Sequence, residues 1–411
     1  MKTGKTDCGL QYAVLRSGKA VAYCALSIHC GSRDEEGFHS GIAHFTEHTI
    51  FKGTSSKSAS VISSYLDRLG GELNAYTTKE EIVLHATVLK EDLRKAEMLL
   101  MELATDALFP EKEIETEKGV VIDEIISSKD SPADDVYDRF EELLFEGHPL
   151  GNSILGTAAS VRRITSEELL RFARSRISPS RIAFTVVADV DEARCEAEVR
   201  SLIDKYFTPY AQAFPSFEPS ALRAPQPHHF ERTVNKRNHE VNAVLGGVAP
   251  SLYQEDERIT AVLLANLLGG PASNSILNSV LRERHGWVYG VECSYTQYSD
   301  SGIMAVSLGC DRCNLEKCLA AIRRETGKLS ESPVSARRLA AAKKQLVAQL
   351  AVSSDNGETL CLSMGKSLLS FGRIASDEQN RASIDRISAE QLRALAETIF
   401  SENNISKLIY L

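Results

Sequence analysis

The chain has 411 residues, 43% of them apolar and 25% charged, with a formal net charge of -9, which excludes a disordered protein and allows two domains with sizeable cores. Lys and Arg are dispersed rather than blocked, which leaves no basic footprint for nucleic acid or an anionic membrane, and no run reaches the roughly 18 apolar residues of a spanning helix. Nine cysteines, an odd number spread over a long chain, argue against a disulfide framework; with no apolar run of signal length in MKTGKTDCGLQY, a cytoplasmic location is expected.

In chain order, VAYCALSIHCG and EEIVLHATVL read as strands, while residues 55–69, 90–107, 111–128 and 165–175 carry helical periodicity. The segment GIAHFTEHTIFKG, residues 41–53, sets His44, Glu47 and His48 at offsets of three and four. At about 100° per residue these share one helical face. Ile42, Ala43, Phe45, Ile50 and Phe51 give that helix an apolar surface to set against a core. Taken alone, the trio fits either one small cation or three polar residues on the wet side of a helix. A metal centre that keeps one position open wants a third His, Asp or Glu. EIETEKGVVIDEII offers it: Val120, Val121, Ile122, Ile125 and Ile126 predict a buried apolar helix, with Glu117 and Glu124 seven residues apart on one face. A buried acid pair on such a helix is costly without a cation to meet it.

YFTPYAQAFPSFEPSALRAPQPHH, from Tyr206 to His229, holds five prolines and no periodicity. It divides the chain into a domain at 1–208, a linker at 209–229 and a domain at 230–411. His228 and His229 are expected to be solvent-exposed and without function.

Beyond the linker the sequence echoes itself. ISSYLDRLGGELNAYT (62–77) parallels ILNSVLRERHGWVYGVECSYT (276–296), and each is followed by a strand and a long helical pair, with Pro110 and Pro333 at matching points. The echo predicts a duplicated fold with unequal chemistry. ERITAVLLANLL, which matches the 44–48 cluster, has no His, and no acid occurs near Val347 to Gln349, which match Glu124. Acid and histidines are present together or absent together. CDRCNLEKC (Cys310, Cys313, Cys318) lacks a further Cys or His at zinc-finger spacing and reads as core or strand-end thiols.

The order H-x-x-E-H reverses the common H-E-x-x-H zinc motif and marks the inverzincin peptidases. HFTEHTIFKGT, LNAYTTKE, EKGVVIDEIISSKDSP and GGPASNSILNSVLRERHGWVYGVECSYTQYSDSG together make nearly the whole chain resemble the pitrilysin family. The likeness is to its short-chain branch, which includes the mitochondrial and bacterial processing peptidases.

The resemblance implies an α+β chain of two homologous domains, each a largely antiparallel sheet with helices packed on one face, forming half of a clam-shell. It implies zinc held by His44, His48 and Glu124, with Glu117 behind them, and Glu47 as the general base that moves the water proton to the leaving amine. Arg282 and Tyr289 match the Arg and Tyr with which family members hold substrate and stabilise the tetrahedral oxyanion. Asn74, Ala75, Tyr76 and Thr77 match the edge strand to which a substrate peptide adds by β-pairing. The implied function is hydrolysis of peptides or unfolded segments by a zinc endopeptidase, inside a homodimeric chamber with composite sites. The competing readings are a non-catalytic scaffold subunit and a catalytic subunit that needs a distinct partner chain. The glycine-rich loop LLGGPASNS, around Gly269 and Gly270, is short beside that of the mitochondrial regulatory subunit.

Overall fold

A computed structural model describes residues 1–208, 224–236 and 238–411; most of the 209–229 linker therefore lies outside the described residues. The first sheet is built from β1 (Lys2–Lys5), β2 (Gln11–Arg16), β3 (Val21–Ile28), β4 (Glu72–Thr77), β5 (Ile82–Leu89) and β6 (Ile182–Ala188), in the order β1-β2-β6-β3-β5-β4. The second contains β7 (Glu231–Val234), β8 (Val241–Ala249), β9 (Val288–Gln297), β10 (Gly302–Cys310) and β11 (Ser406–Tyr410), in the order β7-β11-β8-β10-β9.

The duplication predicted from sequence is visible in this topology. With β1 set aside, β2 to β6 correspond to β7 to β11 one for one. Among the described residues the single parallel pair of each sheet, β2 with β6 and β7 with β11, falls at the same place, and the remaining pairs are antiparallel. The chain is thus an α+β protein of two like sheets with helices.

The first unit comprises Met1–Ile126, a segment that begins at Asn152, and Val352–Ala375. Its strand β6 reads IAFTVVA and is buried at every position, as expected where both faces of a strand are covered. On one face, Leu99, Leu100 and Leu103 of helix Leu93–Asp106 and Val199, Ile203 and Phe207 of helix Glu192–Phe207 pack with Val14, Leu26 and Phe184. The other face presents small residues, Ala13, Ala25 and Ala183, to Cys361, Met364 and Leu368 of helix Gly357–Phe371. The approach is close: a Cβ at Gly365 would lie 2.4 Å from Ser27 Oγ, so glycine is what lets helix and sheet meet.

The second unit comprises Ser127–Gly151, a segment that ends at Ala351, and Ser376–Leu411. Helices Glu255–Gly269, Leu315–Glu331 and Ala389–Ile399 cover one face of its sheet. On the other, Val136, Phe140, Leu143 and Leu144 of helix Pro132–Leu144 meet Val244, Ile303, Ala305 and Leu408. Tyr298 donates its hydroxyl to Glu141 at 2.6 Å, so the polar end of this buried ring is satisfied.

The sheets follow the two halves of the sequence, but each half contributes one helix to the unit of the other. The predicted helices at 90–107, 111–128 and 165–175 form as Leu93–Asp106, Glu111–Asp130 and Ser166–Arg176. The one expected at 55–69 is reduced to Ala59–Ser63 and a turn at Asp67–Leu69. Its serine-rich sequence offers the backbone competing side-chain hydrogen bonds, such as Ser64 Oγ to Ser60 O. Among the described residues no helix is long and apolar enough to cross a membrane.

Candidate metal centre

Helix Ile42–Ile50 begins at Gly41, whose φ of 88° is left-handed. A Cβ there would also lie 2.6 Å from Leu155 O, so both conformation and space favour glycine. The first amides of the helix would otherwise be orphans. Glu35 takes two of them, Oε2 accepting from Gly41 N and Oε1 from Ala43 N, each at 3.0 Å. A carboxylate at this end also complements the helix dipole. Ile42, Ala43, Phe45 and Ile50 are fully buried, which fixes the rotation of the helix and with it the direction of His44, Glu47 and His48.

Helix Glu111–Asp130 faces this trio. Its buried stripe is Ile114, Glu117, Val121 and Ile125. The buried helix expected from sequence is instead half-open, with Val120 and Ile126 49% and 52% exposed, because five apolar residues in seven cannot all share one 3.6-residue stripe. Glu117 and Glu124 do share a face.

The side chains converge. His44 Nε2 lies 3.6 Å and His48 Nε2 3.4 Å from Oε2 of Glu124, and one ligand atom from each of the three residues falls within 4.8 Å of the others. Ligands of a tetrahedral zinc at its usual bond lengths stand about 3.3 Å apart, so these donors are spaced as such an ion requires. His44 is buried, and burial first, then neighbouring His48, pushes its pKa down to about 3. Its imidazole is therefore neutral with a lone pair available, the form a metal needs, while its Nδ1 has no hydrogen-bond partner among the described residues. Glu124 is the open member, its side chain 43% exposed.

Glu117 approaches the other side of His48, with Oε1 3.0 Å from Nδ1. That contact sets the tautomer: a proton on Nδ1 leaves the Nε2 lone pair toward Glu124. Burial raises the Glu117 pKa, but bonds from Lys52 and His48 outweigh it and hold the carboxyl below its usual range. Glu47 stands beside the three donors without being one of them. Thr77 Oγ1 donates to its Oε2 at 2.7 Å. Burial raises its pKa above the ordinary value, opposed by Thr77 and His48 and reinforced by Glu124. A cavity of about 510 Å³ opens next to it, lined in part by Glu47, His48, Phe51, Lys52, Ile62 and Leu73.

Asn74 and Ala75 lie on β4, which pairs with β5 on one side and ends the sheet on the other. Arg282 and Tyr289 belong to the second unit. Arg282 is exposed, near the end of the helical turn Asn278–Arg284. Tyr289 is 60% exposed at a bulge in β9: Val288 pairs with Cys310 and Gly290 with Gly309, leaving Tyr289 without a counterpart. A bulge of this kind re-aims a side chain, and the phenol donates to Asp311 Oδ1 at 2.8 Å. Cys310 and Cys318 are buried and Cys313 is exposed, all nine cysteines having free thiols; His228 and His229 are exposed.

The sequence reading singled out neither Thr77 as the partner of Glu47 nor Lys52 and Glu35 as supports. Thr77 sat inside a motif read only for its main chain. Glu35 acts on backbone amides, whose direction depends on a loop.

Residues 12–158 match the family model described as insulinase (peptidase family M16), and residues 163–346 match the peptidase M16 inactive domain. An uncharacterized zinc protease of Streptomyces coelicolor is 30% identical over 381 residues, 90% of this chain and 81% of that protein. An uncharacterized zinc protease of Bacillus subtilis is 29% identical over 399 residues, 96% of this chain and 95% of that one. Among solved structures, a peptidase M16 inactive domain from Pseudomonas fluorescens superposes with a TM-score of 0.89 at 18% identity, covering 100% of this chain and 97% of that one. A protease from Helicobacter pylori gives 0.88 at 20% identity, covering 100% and 99%.

Proposed function

The chain belongs to the insulinase family of peptidases, family M16, and from that premise we propose that it is a zinc-dependent endopeptidase of peptides and unfolded polypeptide segments. The observation that carries the proposal is the convergence of His44, His48 and Glu124 on one point with Glu47 beside them and outside the donor set.

In this reading His44, His48 and Glu124 hold the zinc. Bound there, zinc supplies a Lewis acid that lowers the pKa of a coordinated water and polarises the scissile carbonyl. Glu47 accepts the proton of the attacking water and passes it to the leaving amine. A carboxyl with a pKa raised by burial is a better match to that task than an exposed one. Thr77 occupies one Glu47 oxygen and leaves the other free to move the proton.

The edge of β4 at Asn74 and Ala75 receives the substrate main chain as an added strand, which gives affinity with little side-chain preference. Arg282 and Tyr289 donate to substrate oxygens where negative charge develops. The zinc motif and the Arg/Tyr pair occur in one chain, and a homodimer with composite sites follows as the proposed assembly, its chamber admitting extended chains and excluding folded ones.

The test is direct. The purified chain, with no added protein, should cleave an internally quenched peptide. The cleavage should stop with a zinc chelator and return with zinc. A chain that binds zinc but cleaves no peptide in a broad library overturns the reading in favour of a scaffold or of an enzyme that needs a partner.

A further inference from the structure

Lys52 stands in the turn after helix Ile42–Ile50, and its ammonium Nζ lies 2.6 Å from Oε2 of Glu117, the carboxylate whose other oxygen is 3.0 Å from His48 Nδ1. The three side chains form a line from Lys52 through Glu117 to His48. The pair is sheltered, with side chains 27% and 10% exposed, so it escapes the screening that makes surface ion pairs weak.

The turn that carries Lys52 is pinned at both ends. Lys52 N donates to Thr49 O at 3.0 Å, and Gly53 O accepts from Leu108 N at 3.0 Å. Thr54 pairs with Ala107 as an isolated bridge and donates its hydroxyl to Glu102 at 2.6 Å. A lysine on a loose turn would sample many directions and lose side-chain entropy on pairing; here the backbone already directs it.

We propose that Lys52 is a positioning residue of the metal centre, acting through Glu117. It fills one oxygen of Glu117 and balances its charge, so that the other oxygen is held where it receives Nδ1–H of His48. That proton placement keeps the His48 Nε2 lone pair on the side of Glu124. Glu47 and Glu113 line the same cavity as Glu117. Without the ammonium, Glu117 would face these acids with one oxygen unmatched and would turn toward solvent, releasing His48 to either tautomer. This inference rests on the reading of His48 as a zinc ligand and extends it to a residue outside the donor set.

The experiment measures zinc affinity by competition with a chromophoric chelator for the wild-type chain and for Lys52→Met, Lys52→Arg, Glu117→Gln and the Lys52→Met/Glu117→Gln double variant. Loss of an outer partner of a ligating histidine weakens metal binding by roughly 10- to 100-fold, and Lys52→Met is expected near the lower end of that range. Lys52→Arg should recover most of the loss, which a packing defect would not allow. The double variant should bind zinc no more weakly than Glu117→Gln alone, because Lys52 has no route to His48 except Glu117. The zinc-free Lys52→Met chain should still melt cooperatively, somewhat below wild type because Glu117 has lost its sheltered partner, and Lys52→Arg should melt close to wild type. Unchanged affinity in Lys52→Met, failure of Lys52→Arg to restore it, or losses that multiply in the double variant would each overturn the inference while leaving the ligand set standing. A wild-type chain that takes up no zinc would instead remove the ligand reading itself.

Discussion

Thr77, the last residue of edge strand β4, donates a hydrogen bond from Oγ1 to Oε2 of Glu47 at 2.7 Å. The strand proposed to receive substrate is thereby tied to the group proposed to move protons, so a peptide added along β4 arrives in a fixed relation to the base.

Replacing Glu47 by Gln keeps the shape and the bond from Thr77 and removes the basic oxygen pair. Turnover of a quenched peptide should fall by roughly a hundredfold or more, with the zinc content unchanged, because Glu47 lies outside the donor set. Elemental analysis alongside the kinetics checks both halves. Zinc loss in this variant would mean that base and ligand had been interchanged.

His48→Ala and Glu124→Ala should behave in the opposite way. Each removes one of three donors, and two remaining ligands do not retain zinc against dialysis. Wild-type protein is expected to carry about one zinc per chain, and both variants close to none, with activity lost in step. Unchanged zinc in both would reject the ligand set.

The site was legible because its spacing is local. His44, Glu47 and His48 lie within little more than one turn of one helix, and Glu117 and Glu124 stand two turns apart on another. Periodicity also predicted helices Leu93–Asp106, Glu111–Asp130 and Ser166–Arg176, and an internal echo predicted the second sheet. What stayed hidden depended on distant partners. The apolar stripe of helix Gly357–Phe371 does not say which sheet it covers, and its packing on Ala13, Ala25 and Ala183 joins residues more than 150 positions apart. The exposure of Tyr289 follows from a register shift against Gly309 and Cys310, invisible in a strand read alone. In the second unit Asn266 donates to Gln349, a neutral amide pair near the place that the echo assigns to the metal centre; the missing histidine and acid were legible, their replacement was not.

Glu97 was another residue that periodicity could have exposed. It sits four after Leu93 and three before Leu100, on the apolar stripe of helix Leu93–Asp106, and is 1% exposed with Oε1 unpartnered among the described residues. Burial first, then the charge of Glu198, raises its pKa to about 8 from 4.5. Between those two values the folded chain holds a proton that the unfolded chain has released, so this group makes stability fall as pH rises through the window. At about 1.4 kcal/mol per pKa unit, the effect is on the order of a few kcal/mol. Glu97→Gln cannot ionise, so its advantage over wild type in the urea midpoint should grow from pH 5 to pH 8. A pH-independent difference would show that Glu97 does not carry this proton.

If substrate must lie extended along β4, an unfolded polypeptide should be cut and a stably folded domain of the same sequence spared under native conditions. Comparable cleavage of both, followed by gel electrophoresis and mass spectrometry, would remove the case for strand addition in a closed chamber.

The proposed composite site makes the sharpest demand. Suppose that the zinc motif of one protomer works with Arg282 and Tyr289 of its partner. Glu47→Gln homodimers would lack the base and Tyr289→Phe homodimers an oxyanion donor, and both should be nearly inactive. Tyr289 is 60% exposed at its bulge, so losing its hydroxyl should leave the fold intact, and circular dichroism can verify this. In a mixed dimer the zinc half of the Tyr289→Phe chain meets the intact Arg/Tyr pair of the Glu47→Gln chain, and one complete site reappears. Random exchange makes half the dimers mixed, each with one site of two, so activity should return to roughly a quarter of wild type. If native mass spectrometry confirms exchange and no activity returns, Arg282 and Tyr289 serve the zinc motif of their own chain, and the case for a composite homodimer falls.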